Sequence, residues 1–198
     1  MGFDLYGLNP ELTREQPTIN WEDKPTEKEK DIFFKDIANF EKENVGYYFR
    51  NNVWWWRPLA DYILELMEDD FTEKERKSWH CNDGFEVNEE VAIEIANRLE
   101  KELKTSRVKK IEKSYDERMR KAEKKNKRVK EKIKYLEKLV AKHTGKNDLV
   151  PRDYPEPFHT TWNFFQKQHD YDASYPFSEQ NVIEFMLFCR ESGGFKIC

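Results

Sequence analysis

From Asn88 to Lys142 the chain contains neither glycine nor proline. Those two residues end helices most readily, one through backbone freedom and the other through its missing N–H. Their absence predicts helix throughout, opened by Asn88 as N-cap, with Glu89 and Glu90 favourable at the positive end of the helix dipole. Unbroken, such a helix would reach about 80 Å at 1.5 Å per residue, so the chain must either let it project or fold it back. Val108, Tyr115, Ala122, Val129 and Leu136 keep a seven-residue step. Ile111, Met119, Ile133 and Val140 fall near the companion position, giving an imperfect heptad crossed by a polar stretch from Arg120 to Arg128. A projecting helix would pair with a second copy as a homodimer. A folded one would turn near Lys124 to Lys127 as an antiparallel hairpin, which is favoured because an insertion has to return the chain to where it left.

The same stretch accounts for an unusual composition. Hydrophobic and charged residues each make up 37% of the 198, against roughly half and a quarter in ordinary globular chains. From Arg98 to Lys142 there are 19 Lys or Arg and 8 Asp or Glu, a net +11, which leaves −15 for the remainder of a chain whose total is −4. The plain reading is a solvated helix face. The sharper one is a helix that seeks an acidic partner, either nucleic acid or the acidic body of another copy.

Outside the middle the chain is aromatic and patterned. Phe3 and Leu5 alternate with Asp4 and Tyr6, which reads as a strand. Thr26 with Glu29 and Thr72 with Glu75 each form a capping box. The first opens a helix to about Glu43 with Ile32, Phe33, Ile37 and Phe40 on one stripe. Pro58 suits the first turn of another helix, and residues 158–170 suit a short one. Ser178 caps a last helix ended by Gly193-Gly194, and Phe195 to Cys198 reads as a strand that pairs with the first. The predicted fold is mainly α with a minor two-stranded β element. A compact, aromatic-rich domain of residues 1–97 and 157–198 is interrupted by a coiled-coil-like basic helix or helical hairpin at 98–145, with 146–156 as a Pro-containing linker.

No run of eighteen apolar residues offers a membrane span, and Met1 to Pro10 lacks the pattern of a signal peptide. The three cysteines, Cys81, Cys189 and Cys198, have no C-x-x-C spacing, which fits a reducing cytoplasm and gives no metal site. No H-E-x-x-H, G-x-S-x-G, Walker or G-x-G-x-x-G pattern occurs, so no cofactor is expected.

The candidate ligand- or partner-binding residues are Arg50, Asn51, Asn52, Trp54, Trp55, Trp56 and Arg57, together with Asn82, Asp83 and Arg190. Three consecutive tryptophans cannot all face one core, and Arg beside Trp can stack a base and clamp a phosphate or carboxylate. The plain alternative packs the tryptophans between helices and pairs the arginines with acids. Arg190, ahead of Ser192-Gly193-Gly194, could set a guanidinium beside exposed N–H groups, or could be part of an ordinary helix end. His80, Cys81 and Asp83 hold the residue types of a small hydrolase. Lys124, Lys125, Lys127 and Arg128 are the candidates for nucleic-acid contact.

The segments GFDLYGLNP at the start, YFRNNVWWWRPLADY (48–62), WHCNDGFEV (79–87) and YPFSEQNVIEFMLFCRESGGFKIC (175–198) resemble a family of small uncharacterised proteins from bacteriophages and bacteria. Members of that family carry a Cys-rich, zinc-knuckle-like piece in the centre. This chain has a charged helix without cysteine there, so no metal carries over. The resemblance implies a phage-type accessory protein of the host cytoplasm. The function expected from the residues is non-catalytic: binding and modulating a host protein, such as one of defence, or capturing a small nucleotide-like ligand. Nucleic-acid binding through the basic helix is the first alternative, a small hydrolase the second.

Overall fold

In the computed structural model, which describes residues 2–198, Phe3 and Leu5 are buried while Tyr6 faces solvent. That alternation belongs to β1 (Gly2–Gly7), which lies between β2 (Tyr48–Asn52) and β4 (Phe195–Ile197); β3 (Phe85–Val87) completes an antiparallel sheet of order β2-β1-β4-β3. Four strands replace the expected two. The terminal pairing is present, with Leu5 opposite Ile197, but Leu5 also faces Phe49 across the other edge of β1. The two additional strands are five and three residues long. Segments so short carry too few alternations to announce themselves, and their pairing is non-local.

Helices cover one face of this sheet. α1 (Glu27–Glu43) and α3 (Glu73–Ser78) start at the two capping boxes, in which Thr26 and Thr72 each exchange bonds with the glutamate three residues on. The apolar stripe of α1 is largely open: Phe40 is buried, but Ile32 is 58% exposed. α2 (Val53–Leu66) begins earlier than expected, so Pro58 sits inside it rather than in its first turn. α4 (Glu89–Lys104) is capped by Asn88 and α7 (Glu179–Glu191) by Ser178. Trp56, Leu59, Ile63, Trp79, Ile95, Leu99, Phe185 and Phe195 are almost completely buried between these helices and the sheet. At the end of β1, a Cβ on Gly7 would stand 2.1 Å from the carbonyl oxygen of Gly46, so only glycine allows the two backbones to meet there.

The long helical stretch breaks once. Ser106 takes φ +58, and it separates α4 from α5 (Arg107–Thr144). Thr105 bonds its hydroxyl to the carbonyl of Glu102, the local competition by which such residues interrupt helices. Through Lys124 to Lys127 α5 runs on without a turn for 38 residues, so the expected hairpin is corrected. Lys and Arg are good helix formers, and nothing in that stretch asks for a positive φ.

The chain divides into two compact units, one running up to Glu112 and resuming at Phe177–Cys198, the other Lys113–Pro176. The divide falls beyond the shift of composition at residue 98. Within the second unit, residues 146–176 supply the 3-10 turns Pro151–Asp153 and Tyr171–Ser174 and the helix α6 (Phe158–Gln166). Ala122, Val129, Leu136 and Val140 of α5 are buried there, with Tyr154 beside Val140 and Phe158 against His143. The heptad seam of this unit is thus covered by the chain's own residues 146–176. Among the described residues no helix is long and apolar enough to cross a membrane.

Candidate functional site

The segment from Arg50 to Arg57 crosses from β2 into α2, and the crossing assigns its residues different tasks. Asn52 is the N-cap: its Oδ1 accepts from the N–H groups of Trp54 (3.0 Å) and Trp55 (3.2 Å). Asn51 donates its amide to Asn181 at 3.0 Å. Trp56 is 0% exposed, lies parallel to Trp79 at 5.9 Å, and donates its indole N–H to the Trp79 carbonyl at 2.7 Å. Successive helical residues diverge by about 100°, so Trp56 goes inward and Trp54, 42% exposed, faces out. Arg190, on α7, bonds Glu100 of α4 at 3.0 Å, which ties two core helices together. Asn51, Asn52, Trp56 and Arg190 therefore hold the fold.

Other expected residues meet around the start of β1. The Arg50 Nε lies 3.3 Å from Asp4, and Asp4 also accepts the hydroxyl of Tyr48, whose ring packs 5.2 Å from that of Tyr6. Burial first, then the Asp4 bond, push the Tyr48 phenol well above its ordinary range. Asn82 donates to the Gly2 carbonyl at 2.9 Å, and Asp83 accepts from Ser78 at 3.1 Å. His80 sits 3.2 Å from Asp61, which shares the outer side of α2 with Trp54 and Arg57 at helical spacing. His80 and Asp83 thus have separate partners, and Cys81 is exposed. Among the described residues no group of three or more His, Cys, Asp or Glu could hold a metal ion.

The third region is the outer side of α5. From Arg120 to Lys138 every Lys and Arg is exposed, ten in all, with three glutamates interspersed. Lys125 pairs with Asp170 at 3.0 Å, and Lys132 lies over the ring of Phe165. The Lys125 bond is the main reason the Asp170 carboxyl titrates below its usual range. For Arg120, Lys121, Lys124, Lys127, Arg128, Lys130, Lys134 and Lys138 no carboxylate oxygen lies within 4 Å among the described residues. Arg120, Lys124, Lys127, Lys134 and Lys138 share the side opposite the buried stripe, a row about 27 Å long at 1.5 Å per residue. The quartet expected to contact nucleic acid is divided: Lys125 pairs with Asp170, Lys124 and Lys127 stand in the open row, and Arg128 is exposed to one side of it.

Sequence reasoning passed over Asp4 and Asp61, which meet the candidates Arg50 and His80, and Tyr48, which bonds Asp4. Asp4 could have been found, since its place in an alternating strand puts it on the open face. Asp61 could not, because its link to His80 depends on how α2 packs. No family model, curated protein or solved structure matches the chain.

Proposed function

We propose that this chain is a nucleic-acid-binding protein that holds a phosphate backbone along the outer side of α5. The observation that carries this reading is the row of exposed Lys and Arg with no carboxylate oxygen within 4 Å among the described residues. Like charges one turn apart destabilise a helix by about 0.2–0.5 kcal/mol per pair, a cost that bound phosphates relieve. The remaining chain is strongly acidic and keeps polyanions to this one strip.

The covered side of α5 bears on the mode of binding. A helix with its side chains is about 10–12 Å across, and the major groove admits one whose groove-facing side is free. With residues 146–176 on the other side, the open side of α5, which carries Lys and Arg but no Asn or Gln, contacts phosphates independently of sequence. The accessory role implied by the bacteriophage resemblance agrees with a protein that coats nucleic acid without acting on it.

The test is binding of a fluorescent DNA duplex between 50 and 200 mM salt, against the triple variant Lys124→Glu, Lys127→Glu, Arg128→Glu. Binding that falls steeply with salt and vanishes in the variant is expected; absent or salt-insensitive binding sinks the reading.

A second reading keeps the surface around Arg50, Trp54, Arg57, Asn82 and Asp83 as the place where a host protein docks. The exposure of Trp54 beside Arg57 on one helix side favours it, since aromatic and Arg side chains anchor interfaces. Loss of a purified partner on Arg57→Ala, with the fold intact, would support it.

A further inference from the structure

The second unit contains an open cleft of about 590 Å³ lined by Val150, Pro151, Arg152, His159, Trp162 and Asn163. Its volume lies within the range of small-ligand sites, roughly 300–1,000 Å³. His159, Trp162 and Asn163 stand at i, i+3 and i+4 on α6, so they share one side of that helix. One hydrogen bond, backed by a charged neighbour, orients the amide of Asn163. The ring nitrogen Nδ1 of His159 is 3.5 Å from a carboxylate oxygen of Glu156, and its Nε2 lies 3.3 Å from the Asn163 amide nitrogen. In the tautomer that carries its proton on Nδ1, beside Glu156, Nε2 accepts from Asn163. One N–H and the carbonyl oxygen of that amide then remain for a ligand.

We infer that this cleft binds a purine nucleotide of the adenine type. A carboxamide with one donor and one acceptor to spare matches the adenine edge, which offers the N6 amino donor beside the N7 acceptor. Trp162, half-buried in the cleft wall, offers a flat face on which a base stacks. The Arg152 side chain, 86% exposed and no closer than 3.7 Å to Asp153, is free to swing onto a phosphate. The three contacts recognise three different parts of one molecule. This site uses none of the residues of the α5 row, and it stands or falls independently of nucleic-acid binding.

The experiment is calorimetric titration of the full chain with adenosine 5′-monophosphate, inosine 5′-monophosphate, adenosine and ribose 5-phosphate. Saturable one-to-one binding of adenosine monophosphate is expected, with inosine monophosphate at least tenfold weaker because its ring carries a carbonyl where adenine carries the amino group. Asn163→Leu removes that discrimination. Arg152→Ala, at an exposed position, weakens adenosine monophosphate several-fold and leaves adenosine unchanged. Ribose 5-phosphate has the phosphate without the base and reports any contribution of the α5 lysines. The inference is overturned if adenosine monophosphate shows no saturation at millimolar concentration. It is equally overturned if ribose 5-phosphate binds as well, or if both variants bind like the parent while melting at its temperature.

Discussion

Asn126 and Asp170 exchange two hydrogen bonds: the Asn126 amide donates to the Asp170 carbonyl at 2.8 Å, and its Oδ1 accepts the Asp170 N–H at 2.8 Å. Asn126 stands in the buried stripe of α5, four residues after Ala122 and three before Val129. A buried Asn in a heptad seam ordinarily selects the register of a partner helix. Here it fixes the position of the returning chain.

Asn126→Leu should therefore destabilise the second unit by about 1–3 kcal/mol, the cost of leaving a backbone donor and acceptor without partners. Chemical denaturation measures it, and amide exchange at Asp170 should quicken. Val129→Asp should likewise lower the melting temperature without altering the molar mass in sedimentation, because the seam is filled from within. A change of mass would mean that the seam serves a second copy.

The three tryptophans should respond unequally. Trp56→Ala removes a buried ring and its bond to the Trp79 carbonyl, at a cost of about 3–5 kcal/mol. Trp54→Ala, at a partly exposed position, should cost about 1 kcal/mol or less. Equal losses in denaturant titrations would contradict the placement of the segment on a helix.

Lys125 and Lys127 are two residues apart and should behave differently. Lys127→Ala should weaken duplex binding and reduce the salt slope by about one, with little effect on stability. Lys125→Ala should loosen its contact with Asp170 and change binding less. The whole row should give a slope of about −3 to −5 in log K against log salt. Anisotropy titrations at several salt concentrations decide both points.

Stability should fall on the alkaline side. Burial, aided by Asp4 for Tyr48 and by Glu102 for Tyr62, raises both phenols above the ordinary value of 10.0. The folded state then holds these protons more tightly than the unfolded chain. The stabilisation is complete below the unfolded value and is lost as pH rises through the folded ones. Phenolate absorbance should show two tyrosines that ionise late or only on unfolding, and Tyr48→Phe should remove one. On the acid side the sign reverses. The bond from Lys125 is the first cause that holds Asp170 low, and those from Lys104 and Arg190 do the same for Glu100. Their contribution is present above the unfolded carboxylate value and is lost as pH falls through the folded ones.

Local chemistry was legible in the sequence. Thr26, Thr72, Asn88 and Ser178 cap helices where their spacing to later residues says they should, since a cap is settled within four residues of its own position. The left-handed turn at Gly193 and Gly194 is equally local. The seven-residue stripe of α5 showed that one side of the helix is buried, and the excess of Lys and Arg showed that the other is not. What covers that stripe could not be read, because a heptad specifies an apolar partner surface without naming its source. Tertiary structure supplied residues 146–176 in place of a second helix. It also decided that Lys125 meets Asp170 while Lys127 meets no carboxylate among the described residues, that Trp56 rather than Trp54 enters the core, and that Arg50 meets Asp4 across two strands. Each of these depends on contacts between residues far apart in the chain. Side-chain periodicity gives the side of an element on which a residue lies, whereas its neighbour there is set only when the elements pack.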